Sequence, residues 1–132
     1  MKYILLLTIV IIPSISSAET HRCIVEKKLD YEWKPYTQEK LNRYNWQVII
    51  EDNSKQKDTK TILRRCSVEP SSGKFTCDSY IADWQITDSA VGHRKYYYFR
   101  GQFDVQLFSN STFIENNGRG GLAKGRCEVI IP

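Results

Sequence analysis

The sequence predicts an all-β fold, a small antiparallel barrel or sandwich of seven or eight strands with one short helix, stabilised by disulfides. Short runs of alternating apolar and polar residues recur from residue 46 onward, with turn-forming residues between them. Helix signals occur in one segment, and four cysteines are spread between residues 23 and 127. Together these three observations favour a β domain over a helical or mixed fold.

The first strand is predicted at Arg22–Leu29, and residues 30–45 then interrupt the β pattern. Pro35 ends the extended chain. Thr37 can cap a short helix over Gln38–Tyr44, because its hydroxyl can accept a hydrogen bond from the first helical turn. We therefore expect one helix between the first two strands.

The β pattern dominates the rest of the chain, with a polar loop at 53–58, a turn at 88–93 and an Asn/Gly-rich turn at 116–121. Besides the segment treated next, strands are predicted at Trp46–Asp52, Thr59–Val68, Phe75–Tyr80, Ala82–Thr87, Thr112–Glu115 and Leu122–Ile130.

The clearest alternation lies between Lys95 and Phe108. Odd-numbered positions form an apolar set that we expect to face the core: Tyr97, Phe99, Gly101, Phe103, Val105 and Leu107. The alternation of apolar and polar positions keeps the same phase on both sides of Gly101. One long strand with a kink or bulge is therefore predicted, in preference to a hairpin turning at residues 100–102.

The even-numbered positions of this segment give the candidate binding surface. Tyrosine and arginine without lysine on one face is typical of contact surfaces. The candidate binding residues are Arg94, Tyr96, Tyr98, Arg100, Gln102 and, from the glycine-rich turn, Arg119. The alternative is an ordinary exposed β face, since aromatic residues also favour strands.

The residues between Cys66 and Cys77 form a predicted β-hairpin around the turn Pro70–Gly73. Antiparallel pairing about that turn sets Glu69 opposite Lys74 and the two cysteines directly opposite each other. Opposed residues are close enough for a disulfide, so the register predicts a Cys66–Cys77 bond.

The same argument leaves Cys23 to pair with Cys127, which would tie the first and last strands together across a loop of about 100 residues. Two alternatives remain: one pair could stay as buried thiols, or the cysteines could hold a structural zinc. Zinc is disfavoured because the cysteines are separated by 42, 10 and 49 residues and because His21 and His93 do not form ligand-like pairs. No metal site is expected.

An export signal is predicted at residues 1–18. Lys2 precedes an apolar run, Tyr3–Ile12, that Pro13 ends, and small residues at Ser16–Ala18 suit a signal peptidase. Cleavage there leaves residues 19–132 as a single exported β domain, placed in the periplasm or secreted. The apolar run is about half the ~20 residues that span a bilayer, so no transmembrane segment is expected.

Charge and motifs argue against several functions. After loss of Lys2, 18 basic side chains face 15 acidic ones, too small an excess to indicate nucleic acid. His21 and His93 are expected at the surface, and the acid pairs Asp83/Asp88 and Asp104/Glu115 are interpreted as solvated. The turn at 116–121 fits no phosphate-binding motif. The chain is therefore predicted not to be an enzyme and not to need a cofactor.

Several segments together resemble a family of short exported alphaproteobacterial proteins. They are Arg65–Ser67, Pro70–Lys74, Thr76–Asp78, Tyr97–Arg100, Gln102–Phe108, Glu115–Gly121 and Gly125–Cys127. The resemblance spans most of the exported part and implies an exported bacterial domain, but the family has no established activity and therefore assigns no site.

Two function classes follow. The first is a non-catalytic binding or inhibitory module of the bacterial cell envelope, whose partner is a protein or another envelope component. The alternative is an envelope-associated structural or assembly factor without a discrete ligand. Small exported barrels that inhibit enzymes are an analogy for the first class at the level of architecture.

Overall fold

The computed structural model describes residues 9–11 and 18–132. Residues 1–8 and 12–17, which make up most of the predicted export signal, lie outside the described residues. The described chain is mostly β-structure with one short α-helix, as the sequence predicts.

Nine strands and one α-helix are present in the described residues. They are β1 (Glu19–Leu29), α1 (Gln38–Tyr44), β2 (Gln47–Asp52), β3 (Ile62–Val68), β4 (Phe75–Ile81), β5 (Trp84–Asp88), β6 (His93–Tyr98), β7 (Phe103–Leu107), β8 (Thr112–Asn116) and β9 (Leu122–Ile131). A one-turn 3₁₀ helix, Phe99–Gly101, separates β6 from β7.

All nine described strands belong to one antiparallel sheet in the order β4-β3-β2-β1-β9-β8-β7-β6-β5. Two meanders, β1 to β4 and β5 to β9, therefore meet where β1 pairs with β9. The sheet curls into a half-barrel. The strands at its two ends, β4 and β5, are consecutive in sequence, so a short connection must bring the two ends of the curl together.

The helix begins and ends where the sequence indicates. The hydroxyl of Thr37 accepts a hydrogen bond from the Lys40 amide at 3.2 Å, as a capping threonine should. Asn45 ends the helix in the left-handed conformation, and its amide donates to the Leu41 carbonyl. Leu41 is the buried residue of the helix, which anchors it to the sheet.

Both predicted disulfides are present. Cys23 and Cys127 are direct register partners on β1 and β9, and Cys66 and Cys77 are partners on β3 and β4. The register of the β3–β4 hairpin is also confirmed, with Val68 opposite Phe75. The open alternatives of free thiols and cysteine-bound zinc are therefore wrong.

The prediction of one long strand over residues 95–108 is wrong, because the chain turns back at residues 99–102 to make a hairpin. Tyr98 pairs with Phe103, and Tyr96 pairs with Val105. Gln102 adopts a left-handed conformation with φ of 52°, and its amide donates to the Phe99 carbonyl. This turn accounts for a ninth strand where seven or eight were expected.

The turn also exchanges the faces of the two strands. Directly opposed residues point to the same face of a sheet, so even-numbered residues of β6 share a face with odd-numbered residues of β7. Tyr96 is completely buried, and Phe103, Val105 and Leu107 are buried as predicted. The expectation for Tyr97 and Phe99 is wrong: Phe99 is exposed, and Tyr97 lies on the outer face.

The inner face carries one hydrophobic core that crosses both meanders. Its buried members include Cys23, Val25, Leu41, Val48, Ile50, Leu63, Tyr96, Phe103, Val105, Leu107, Phe113, Ala123 and Cys127. The disulfide of β1 and β9 lies within this core, so it covalently fixes the junction between the meanders.

Hydrogen bonds on both sides of the short connection at residues 82–83 hold the two ends of the sheet together. The Ala82 amide donates to the Thr61 carbonyl before β3, and the Asp83 amide donates to the Tyr97 carbonyl of β6, both at 2.9 Å or less. On the inner face the Tyr80 ring of β4 lies 5.0 Å from the Tyr98 ring of β6. β4, at one end of the sheet order, is therefore in contact with β6, the second strand from the other end.

An ion pair between a half-buried arginine and a buried glutamate makes another link across the interior. Arg65 of β3 lies 2.8 Å from Glu115 of β8, and Glu115 is buried. The guanidinium also lies 5.0 Å from the centre of the Phe103 ring. Glu115 was expected to be solvated with Asp104, and this expectation is wrong, because Arg65 compensates its charge inside the curl.

The two disulfides should contribute unequally to stability. Replacing Cys23 and Cys127 by alanine should lower the free energy of unfolding by about 4–5 kcal/mol, and replacing Cys66 and Cys77 by about 3 kcal/mol, because the longer loop gains more entropy when opened. The sequence separations are 104 and 11 residues. Urea unfolding of both double variants measures the difference, and an equal or reversed order would contradict this account.

Candidate functional site

Three aromatic rings form a cluster on the outer face of the sheet, near the turn between β6 and β7. Trp84 of β5 is the register partner of Tyr97 of β6, and their rings stack with centroids 5.6 Å apart. The Phe99 ring lies 6.4 Å from Trp84 and 6.1 Å from Tyr97. Trp84 and Phe99 are 55% and 56% exposed, so a large aromatic area faces solvent.

The backbone beneath this cluster is held by hydrogen bonds to Asp83. The Asp83 carboxylate accepts from the Phe99 amide at 2.7 Å, and the Asp83 amide donates to the Tyr97 carbonyl at 2.8 Å. These bonds fix the start of the 3₁₀ turn against the strand that carries Trp84. The rings are therefore presented by an ordered platform, which lowers the entropy cost of binding.

The turn at 116–121 and the loop at 30–36 lie at the same end of the half-barrel. Gly118 has a φ of +74°, and a side chain there would collide with the backbone oxygens of Gly101 and Gln102. Gly120 lies directly against Tyr31. Glycine is needed in this turn for close approach, as the sequence indicates for a structural turn.

We call a set of aromatic and arginine side chains at this end of the half-barrel the aromatic–arginine surface. Its members are Tyr31, Trp33, Trp84, Tyr97, Phe99, Arg100 and Arg119. Tyr31 and Trp33 are 71% and 67% exposed. Large aromatic rings and guanidinium groups are the side chains that most often dominate protein–protein binding energy.

Of the predicted binding residues, Arg100, Gln102 and Arg119 are exposed on neighbouring turns at this end. The prediction that Tyr96 lies on an exposed face is wrong, because the turn at 99–102 directs it into the core. Tyr98 is half-buried on the same inner side, against Tyr80.

Arg94 and Tyr96 belong instead to a buried polar network at the other end of β6. The Tyr96 hydroxyl donates to the Asp52 carboxylate at 2.7 Å, and Arg94 donates to Asp52 at 3.2 Å and to Glu19 at 3.1 Å. His21 lies 2.6 Å from the same Glu19 oxygen and is buried, so its expected place at the surface is wrong.

Burial and hydrogen bonding have opposite effects on the two carboxylates. Burial alone would raise the pKa of Asp52, but hydrogen bonds from Ser54 and Tyr96 and the charge of Arg94 hold it below its ordinary value. Burial is likewise outweighed at Glu19, where Arg94 and His21 lower the pKa. Burial, and then Asp52, raise the pKa of Tyr96. The hydrogen-bond donors and positive charges of the network therefore stabilise Asp52 and Glu19 as anionic carboxylates.

Every member of this network already has a partner inside the fold. Gln85 of β5 donates to Asp52 at 3.2 Å and accepts from the Thr61 hydroxyl at 2.9 Å. Among the described residues, no buried side-chain oxygen or nitrogen lacks a hydrogen-bond partner. We interpret the network as structural, since it joins β2 to β5 and β6 across the curl.

The remaining titratable candidates do not assemble into a site. His93 packs edge-on against the Phe108 ring, with centroids 4.9 Å apart. Asp104 pairs with Lys95 at 3.7 Å, away from the Arg65-bound Glu115. Within the described part of the chain, no three His, Cys, Asp or Glu residues are grouped so that they could hold a metal ion.

No protein-family model, curated protein or solved structure matches this chain. None of the helices described in the structure is long and apolar enough to cross a membrane.

The buried network should make stability depend on pH in the acid range. Because the folded-state pKa of Asp52 is depressed, its contribution is present above its unfolded-state pKa and is lost as the pH falls through the folded-state value. The free energy of unfolding should therefore decline from about pH 5 toward pH 2, where acidic side chains titrate.

Asp52→Asn should flatten this decline and cost about 1–3 kcal/mol at pH 7, because Arg94 and Tyr96 lose a charged acceptor. Asp78→Asn, at an exposed position of β4, is the matched control and should leave the profile unchanged. Urea unfolding between pH 7 and pH 2.5 measures both variants, and an Asp52→Asn profile parallel to the wild type would contradict the assignment.

Proposed function

We propose that this chain is an exported, non-catalytic binding module of the bacterial cell envelope, which engages a partner protein through the aromatic–arginine surface. The observation that carries the proposal is the solvent-exposed Trp84–Tyr97–Phe99 cluster on an ordered sheet end. Exposed aromatic clusters are costly in water, and they are enriched where proteins bind each other.

Several features support export to the periplasm or beyond. The sequence begins with a predicted export signal, and all four cysteines are paired in disulfides, which persist in oxidising compartments. If the partner is an enzyme, binding through the exposed rings would be inhibitory where they cover its active site.

The absence of catalysis is part of this proposal. The titratable groups with the strongest mutual contacts, Asp52, Arg94 and Tyr96, lie in an internally satisfied network with no cofactor requirement. A binding role does not need these three side chains at the surface. It uses the exposed rings of the Trp84–Tyr97–Phe99 cluster instead.

A structural or assembly factor of the envelope is the second candidate. The observation that favours it is the pair of end strands, β4 and β5, each of which has one sheet neighbour in the described chain. An unpaired strand edge can accept a further strand from another protein. Such a role would place the chain in a large complex instead of with one soluble partner.

The binding surface can be tested by affinity capture from a periplasmic extract. Trp84→Ala combined with Phe99→Ala should weaken capture of the wild-type partner at least about 30-fold, because the loss of even one hot-spot ring costs about 2 kcal/mol or more. Thermal stability should change little, since both rings are more than half exposed.

Phe75→Ala combined with Ile81→Ala is the matched control, because it removes two exposed apolar side chains from β4. This variant should capture the partner as the wild type does. Equal capture by the Trp84/Phe99 variant would refute the proposed surface. Co-purification with a large envelope complex, lost in the β4 variant, would favour the structural role.

A further inference from the structure

A cavity of about 530 Å³ lies between β1, the loop that leads into α1, and the β8–β9 hairpin. Its volume is within the range of small-molecule binding pockets. Apolar side chains supply most of the wall: Leu29, Pro35, Tyr36, Leu41, Ile114, Leu122 and Ala123. None of these residues belongs to the aromatic–arginine surface, so the cavity is a separate site.

Two lysines face each other at the rim of this cavity. Lys27 of β1 and Lys124 of β9 are direct register partners, both are exposed, and both line the cavity. Like charges placed directly opposite each other on neighbouring strands destabilise a sheet. The fold therefore tolerates an unfavourable pair of cations at the mouth of an apolar cavity.

Among the described residues that line the cavity, the one carboxylate is that of Glu26. The acid nearest in sequence, Glu26, is already bound by Arg126 at 3.3 Å. Neither Lys27 nor Lys124 takes part in an ion pair within the described chain. A ligand with an anionic group would remove the repulsion, whereas a neutral or cationic ligand would not.

A third lysine, Lys28, is also among the residues that line the cavity. Its amine lies 4.0 Å from the Trp46 ring centre and 5.3 Å from that of Tyr36. Burial lowers the pKa of this amine. The nearby carboxylate of Glu115 is engaged by Arg65. Aromatic faces therefore hold this cation without a dedicated acid.

We propose that this cavity binds a single-chain organic anion, a carboxylate with an unbranched apolar tail. The tail lies along the apolar wall, and the carboxylate lies between Lys27 and Lys124. The apolar wall disfavours a small hydrated anion, because apolar side chains cannot replace the hydrogen bonds that the ion makes with water. The paired lysines disfavour an amphiphile with a cationic head.

Isothermal titration calorimetry of the exported form with laurate tests the proposal, using concentrations below the critical micelle concentration. Laurate should bind with a stoichiometry of about one, at least 10-fold more tightly than dodecyltrimethylammonium, which has the same tail and the opposite charge. Acetate should bind at least 100-fold more weakly than laurate, because it lacks the tail. Equal binding of the two amphiphiles would overturn the proposal.

Paired substitutions locate the site. Lys27→Gln with Lys124→Gln should weaken laurate binding at least 10-fold, and Lys27→Arg with Lys124→Arg should restore it to within about threefold. Lys57→Gln with Lys74→Gln removes the same charge from exposed positions outside the cavity, so it should change affinity less than twofold. Circular dichroism confirms that each variant is folded.

A further experiment distinguishes binding of a free fatty acid from binding to a membrane surface. Vesicles of phosphatidylglycerol are sedimented with the protein, and the proposal expects no co-sedimentation at physiological salt. Co-sedimentation that needs Lys27 and Lys124, together with no binding of free laurate, would overturn it in favour of a lipid surface. Unchanged laurate binding in the glutamine variant would also overturn it. None of these outcomes depends on capture of a partner protein by the aromatic–arginine surface.

Discussion

The rest of the structure depends on one contact across the interior, the hydrogen bond from the Tyr96 hydroxyl to the Asp52 carboxylate. The two residues lie on β6 and β2, which are separated by four strands in the sheet order. A buried tyrosine hydroxyl and a buried carboxylate each need a partner, so the contact requires the sheet to curl. Arg94 and Gln85 reach the same carboxylate and extend the link to β5.

The same contact explains where the exposed aromatic rings lie. Once Tyr96 faces inward, its neighbours Tyr97 and Trp84 must face outward, because side chains alternate along a strand. The turn at 99–102 then leaves Phe99 beside them. The polar network at one end of β6 and the proposed binding surface at the other are therefore consequences of a single strand orientation. The lysine-rimmed cavity depends on a different junction, between β1 and β9.

Local chemistry made much of the fold predictable from sequence. The β3–β4 turn has Pro70 and Gly73 at informative positions, and this fixed the register that pairs Cys66 with Cys77. The β6–β7 turn has no comparable signal, since its left-handed residue is Gln102. Because β6 has tyrosines at both even and odd positions, Tyr96 to Tyr98, the apolar alternation of β7 seemed to begin in β6, and a hairpin could not be distinguished from one long strand. For that reason Tyr96 was wrongly predicted to be exposed and Phe99 to be buried.

The orientation of β6 is tested most directly by replacing two adjacent tyrosines, one at a time, and measuring urea unfolding. Tyr96→Ala should lower the free energy of unfolding by about 3–5 kcal/mol, since a fully buried ring and its hydrogen bond are lost. Tyr97→Ala should cost about 1 kcal/mol, because it removes a surface stacking contact with Trp84. A larger loss for Tyr97→Ala than for Tyr96→Ala would contradict the inward orientation of Tyr96 and, with it, the proposed aromatic–arginine surface.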